Sequence, residues 1–302
     1  MRPISIIDAP SGLGLRQPGV QGLPEALRAA GLLAGRAGVR HEGAVPVPPA
    51  VAERDPTTSV LNQDGILSFS IRLADRVTAV LDAGRFPLVL GGDCSILLGS
   101  ALALRRRGRY GLFFIDGHAD FYSIEAEPNG EVASMELAIA TGREPSTLAD
   151  LEGQRPLVRE EDAVVFGFRD AVSAAEHGSP DPRESRMYLF DLESVRRLGA
   201  GTAAERGLAA LEAGSLDGFF VHLDADVLDD EVMPAVDYRM PGGLRPEELV
   251  ESLEVILASS LLTAMEVTIY NPSLDDEARS SARVLADTLN AAFARFGRKG
   301  PS

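Results

Sequence analysis

Tyr110-Gly-Leu-Phe-Phe-Ile-Asp116-Gly-His118-Ala-Asp120 decides how this chain is read, because an apolar run delivers two acids and an imidazole at its end. Side chains of an extended backbone alternate faces, so Asp116, His118 and Asp120, two apart each time, point the same way if strand geometry continues. Two carboxylates and an imidazole on one face suit a divalent metal. A strand that merely ends in solvated polar residues produces the same triplet, and the rest of the chain must discriminate. It repeats the pattern. Gly218-Phe-Phe-Val-His-Leu223 runs into Asp224-Ala-Asp226-Val-Leu-Asp229-Asp230, and Phe86-Pro-Leu-Val-Leu90 runs into Gly91-Gly92-Asp93-Cys94-Ser95.

Outward from these runs, short apolar stretches at 4–7, 163–168, 187–190 and 262–269 read as further strands. Apolar residues recurring at three and four predict helices over 23–33, 66–80, 96–104, 135–140, 246–257 and 278–296, with Gly84 ending the second and Pro246 opening the fifth. The Pro-rich segment 45–51 reads as a connection. Gly12 and Gly14 lack the third glycine and the immediate helix of a dinucleotide fingerprint. Strands alternating with helices predict one domain over residues 1–302, a three-layer α/β/α architecture around a mostly parallel sheet.

The totals narrow the function. Of 302 residues, 45% are apolar, ample for a packed core, and 45 Asp+Glu against 29 Lys+Arg leave a formal charge of −16. That charge repels nucleic acid and anionic membrane surfaces, so neither is an expected partner and small-molecule chemistry is favoured. A single cysteine, Cys94, excludes an intrachain disulfide. Neither a secretory signal nor a bilayer-length apolar run is present, and a cytoplasmic location is expected.

In open parallel sheets ligands bind beyond the carboxyl ends of strands. Here those ends carry Cys94, then Asp116, His118 and Asp120, then Asp224 and Asp226. Four carboxylates and an imidazole exceed the needs of one zinc but would all be used by two divalent ions sharing carboxylates. A calcium-loop reading of Asp224 to Asp229 fails: Asp229 stands where the loop needs glycine, and its twelfth position is Ala235.

The ordered set of motifs resembles the ureohydrolases, the family of arginase, agmatinase and formiminoglutamase. Gly91 to Ser95 is similar to the family's Gly-Gly-Asp-His-Ser turn, Asp116 to Asp120 to its Asp-Ala-His-x-Asp, and Asp224 to Asp229 to its Asp-x-Asp-x-x-Asp; Pro18-Gly19-Val20 and Asn271-Pro272 are weaker matches. The resemblance spans the chain and implies an arginase-like fold. It makes Asp116 and Asp224 the bridging carboxylates, Asp120 a ligand of one ion, and His118 with Asp226 ligands of the other. It implies manganese, catalysis at Asp116, His118 and Asp224, hydrolysis of a non-peptide C–N bond of a small molecule, and a homo-oligomer, trimer or hexamer.

The departures from the family pattern bear on substrate and metal. Cys94 stands at the place of a metal-binding histidine; a thiolate ligand there would pull preference toward zinc or iron. Alignment on Asn271-Pro272 puts Ile269 where arginases and agmatinases carry the glutamate that pairs with guanidinium, and puts Glu266 on an acidic position next to the metals. The proton-shuttle histidine falls near Ala133, while Tyr122 and Val172 replace residues that hold the amino-acid end of arginine. Glu266, Tyr122 and Glu131 are the substrate-binding candidates, with Glu125 behind them. His222 reads equally as a partner of a ligand or as a satisfied strand histidine, and His41 and His177 receive no role. The expectation is a hydrolase of an amidine, a guanidine-like or a related molecule other than ordinary arginine. An N-hydroxyarginine-type hydrolase and a non-catalytic sensing relative are the alternatives.

Overall fold

The computed structural model describes residues 3–144 and 146–296. Its centre is an eight-stranded sheet in the order β2-β1-β3-β8-β7-β4-β5-β6, with every neighbouring pair parallel. The strands are Ile4–Ala9 (β1), Val39–Ala44 (β2), Phe86–Gly91 (β3), Tyr110–Ile115 (β4), Ala163–Phe166 (β5), Tyr188–Phe190 (β6), Gly218–Asp224 (β7) and Leu262–Thr268 (β8). Nearly continuous apolar runs mark the central ones because both of their faces are covered. In β4, Phe113 and Ile115 face one apolar layer while Leu112 and Phe114 face the other.

Helices fill both layers. Leu23–Ala29 (α1), Leu192–Leu198 (α6), Ala200–Glu212 (α7), Pro246–Ala258 (α8) and Ser280–Phe293 (α9) pack on one face. Gln63–Asp82 (α2), Leu97–Arg105 (α3) and the short Glu136–Ala140 (α4) pack on the other. Ala171–Glu176 (α5) follows β5 near the carboxyl edge. No helix among the described residues is long and apolar enough to cross a membrane.

The sequence reading placed no helix at α5, α6 or α7, and two strands depart from it for physical reasons. β2 was not predicted, because Val39-Arg-His-Glu-Gly-Ala lies at the sheet edge with most of its side chains exposed, and an edge strand needs no apolar run. The last strand ends at Thr268, not Ile269: Ile269 has φ 70°, rare for a β-branched residue, and its N–H turns to donate to the Gly92 carbonyl.

The topology is what makes a crevice. The chain leaves β3 and enters β4 three positions away, and β8 and β7 later fill the two places between them. The carboxyl ends of β3, β8, β7 and β4 therefore stand side by side, with Leu90 beside Val267, Asp224 beside Thr268 and Ile115 beside Leu223.

Candidate metal centre

The loop after β3 is bolted down before it can present Cys94. The Asp93 carboxylate accepts from the Ser95 N–H at 2.8 Å, from the Gly14 N–H at 3.1 Å and from the Ser11 hydroxyl at 3.1 Å. Gly92 has to be glycine, since a Cβ there would lie 1.6 Å from the Ser11 carbonyl oxygen. Cys94 thus faces inward, its Sγ 2.8 Å from Asp224 Oδ2 and 3.2 Å from Thr268 Oγ1. Burial pushes its thiol up, and the carboxylates of Asp224, Glu136, Asp116 and Asp120 push it further.

Asp116, His118 and Asp120 converge, but not as strand alternation predicts. β4 ends at Ile115, and the chain then turns: the His118 N–H donates back to Asp116 Oδ1 at 2.7 Å, and Asp120 sits at φ 44°. The His118 ring lies 2.9 Å by Nδ1 from Asp226 Oδ2. Asp226 Oδ1 accepts from the Gly117 N–H at 3.0 Å, and Asp224 Oδ1 accepts from the Asp226 N–H at 2.7 Å. The two acidic turns therefore hold each other.

Electrostatically the site has more buried carboxylates than the cations His118 and Arg169 can balance. Burial first, then Asp120 and Asp226, pushes the Asp116 carboxyl well up; burial, then Asp226 and Asp116, does the same to Asp224. Asp120 is raised by burial and by Glu136. Asp226 is the exception: burial opposes ionisation, yet His118 and Arg169 together hold it below the usual carboxylate range. His118 is pushed up, because Asp226 outweighs the cost of burying its charge. Asp116 Oδ2 and both Glu136 oxygens are buried without a hydrogen-bond partner.

Three sets of donor atoms lie within 4.8 Å of one another: Cys94, Asp116, His222 and Asp224; Cys94, Asp116, Asp120 and Glu136; and Asp116, His118 and Asp226. Orphaned carboxylate oxygens at the junction of such sets are what divalent ions with oxygen-rich ligation satisfy, so the residues fit the group the sequence implied.

A cavity of about 320 Å³ opens onto this centre. His118, Asp120, Asp224 and Asp226 reach it, and Leu15, Tyr122, Glu127, Ala133, His177, Tyr238, Met240 and Ile269 are among its other lining residues. Of the substrate-binding candidates only Tyr122 lines the cavity. Glu266 is fully buried, with Oε1 2.7 Å from His222 Nδ1 and Oε2 accepting from the Ser100 hydroxyl at 2.5 Å. Both of its oxygens are occupied, and it does not line the cavity. Glu131 does not line it either: buried, it accepts from the Arg16 N–H at 2.7 Å and the Tyr238 hydroxyl at 2.5 Å, tying two loops together. Val172 is 75% exposed and Glu125 is exposed, neither of them lining the cavity.

Sequence reasoning missed Glu136 and Glu127 and assigned nothing to His177. The last lines the cavity, with its ring centroid 6.2 Å from that of Tyr122. No strand-end motif points to any of them; each arrives on a connection whose path only the folded chain defines.

The arginase family model matches residues 2–294. The chain belongs to the arginase family. An arginase of Staphylococcus aureus (strain COL) is 30% identical over 292 residues, covering 94% of this chain and 95% of the relative. The native structure of Bacillus caldovelox arginase at pH 5.6 superimposes with a TM-score of 0.85 at 30% identity, covering 99% of both chains. A formimidoylglutamase from Bacillus subtilis subsp. subtilis str. 168 has a TM-score of 0.74 at 18% identity, covering 97% of this chain and 86% of the other, a likeness of fold alone. Arginase-family proteins are metal-dependent hydrolases of non-peptide C–N bonds with a binuclear site, and this chain is such a hydrolase by membership.

Proposed function

We propose that this hydrolase acts on a linear C–N bond of an amidine, a hydroxyguanidine or a related small molecule other than ordinary arginine. Ile269 carries the reading. It lines the cavity together with Asp224 and Asp226, at the place where arginases and agmatinases carry the glutamate that pairs with guanidinium, and the nearby Glu266 is engaged by His222 and Ser100. Removing the carboxylate from a desolvated ion pair costs roughly 3–5 kcal/mol, more than a hundredfold in binding or rate.

Asp116 and Asp224 would bridge two divalent ions, manganese first, with zinc or iron favoured if the Cys94 thiolate binds. Asp120 belongs to the ion on the Cys94 side, and His118 with Asp226 to the other. When bound, the pair supplies Lewis acidity that lowers the pKa of a water and steadies charge developing on the substrate. The chain's own residues orient and wall off the substrate: Leu15, Met240 and Ile269 exclude water, while Tyr122 and Glu127 offer polar contacts toward its far end. His177 points its Nδ1 at the Ser173 carbonyl, 2.8 Å away, leaving Nε2 for a proton that Ala133 cannot carry.

The N-hydroxyarginine-type alternative draws support from Cys94, and oxygen on nitrogen lowers guanidine basicity enough to suit an apolar wall. A cytoplasmic homo-oligomer, trimer or hexamer, is the accompanying proposal, supported by family resemblance and measurable by light scattering. The main test loads the protein with manganese, zinc or iron and compares amidine, hydroxyguanidine and formimino substrates with arginine and agmatine. Arginine and agmatine should be at least about a hundredfold poorer than the best substrate, and Ile269→Glu should raise arginine turnover at least tenfold. Robust urea release from arginine by the unaltered two-ion protein would overturn the substrate assignment.

A further inference from the structure

We propose that Glu136 is a ligand of the ion on the Cys94 side of the centre, a role that rests on the two-ion reading above. Glu136 opens α4, and its side chain is fully buried. Neither of its oxygens has a hydrogen-bond partner. One of them belongs to a set with Cys94 Sγ and oxygens of Asp116 and Asp120, all within 4.8 Å of one another. Opposite ligands of one octahedral ion, each at about 2.1 Å, stand about 4.2 Å apart, so this spacing admits a shared cation with little adjustment.

A buried carboxylate without a partner does not stay ionised and alone. A proton could be shared between Glu136 and Asp120. That would satisfy one contact between two acceptors and leave the other Glu136 oxygen and Asp116 Oδ2 unserved. A cation among Cys94, Asp116, Asp120 and Glu136 draws on all of them at once. Three carboxylates around one position also favour a hard ion, offsetting the pull of the thiol toward zinc.

The experiment uses the full chain, stripped with a chelator and titrated with manganese chloride by calorimetry, with bound metal counted after gel filtration. The wild type should take up two ions. Glu136→Gln, which keeps the shape and removes the charge, should weaken one site at least tenfold and leave the other at wild-type affinity. Thermal melting supplies a second readout: without metal Glu136→Gln should melt above wild type, since an unpaired buried carboxylate is gone, and with manganese its gain in Tm should be smaller. Glu136→Asp should fall between, and it decides alone if the glutamine variant does not fold. Wild-type affinity at both sites in the variant that folds would overturn the proposal and make Glu136 a neutral acid sharing a proton with Asp120. A wild-type protein that binds no ion would overturn the two-ion reading itself, and Glu136 with it, before any variant is made.

Discussion

The two halves of the centre are built on opposite principles. On the His118 side every contact is made by protein: the imidazole meets Asp226 at 2.9 Å, and Asp226 takes the Gly117 N–H. On the Cys94 side the thiol leans on Asp224, Asp120 and Glu136 confront each other, and the Glu136 oxygens and Asp116 Oδ2 go unpaired. One half holds its shape through hydrogen bonds between backbone and side chain. The other is a cluster of buried acceptors that only a proton or a cation can reconcile. The difference teaches that the ordered half can be specified by local turn geometry, whereas the frustrated half records what the fold expects to bind.

Breaking the proposed bridges should abolish the distinction altogether. Asp116→Asn or Asp224→Asn is expected to remove both ions together, because the proposal has each residue shared between the two ions. The loss in affinity should exceed the ~10–100-fold typical of residues that only support ligands. Metal content after gel filtration checks it, and retention of one full equivalent would show that the residue belongs to a single half.

Cys94→His sharpens the contrast at the frustrated half. A nitrogen donor in place of a thiol should shift preference from zinc toward manganese by about tenfold, since softer sulfur ligands select zinc. Competitive titration of the two metals reads the shift; identical ratios in variant and wild type would make the thiol a bystander.

The smallest effect is the pH dependence of stability without metal. Asp116, Asp120 and Asp224 have folded-state pKa values raised above 3.8, so the folded chain binds more protons than the unfolded one. Their contribution favours folding below the unfolded pKa and is lost as pH rises from about 4 through the raised values. Metal-stripped protein should therefore lose melting temperature between mildly acidic and neutral pH, and saturating manganese should flatten that decline. Parallel declines with and without manganese would mean that these carboxylates do not meet the ion.

Much of this was legible in the residues themselves. The apolar run 110–115 followed by Asp116, His118 and Asp120, with its echo at 218–226, marks two strand ends and their acids without any tertiary information. Alternation placed Phe113 and Phe114 on opposite layers because a strand's period is local. Legibility failed where position depends on partners distant in sequence. β2 has no apolar run because an edge strand is half solvated. Glu266 looked available to a substrate until His222 and Ser100, 44 and 166 residues away, were seen to occupy it. Glu131 was spent on Arg16 and Tyr238 in the same way.

The chain's own residue order therefore determined the α/β class, the strand ends that carry the acids and the divalent chemistry those acids imply, all consequences of backbone periodicity and side-chain type. Tertiary structure alone decided that β8 and β7 slot between β3 and β4, that Ile269 reaches the cavity while Glu266 does not, and that Glu136 comes to lie among Cys94, Asp116 and Asp120. The physical reason is that a carboxylate's role is set by which neighbours desolvate it and which donors reach it first, and those neighbours are brought together by the packing of distant segments.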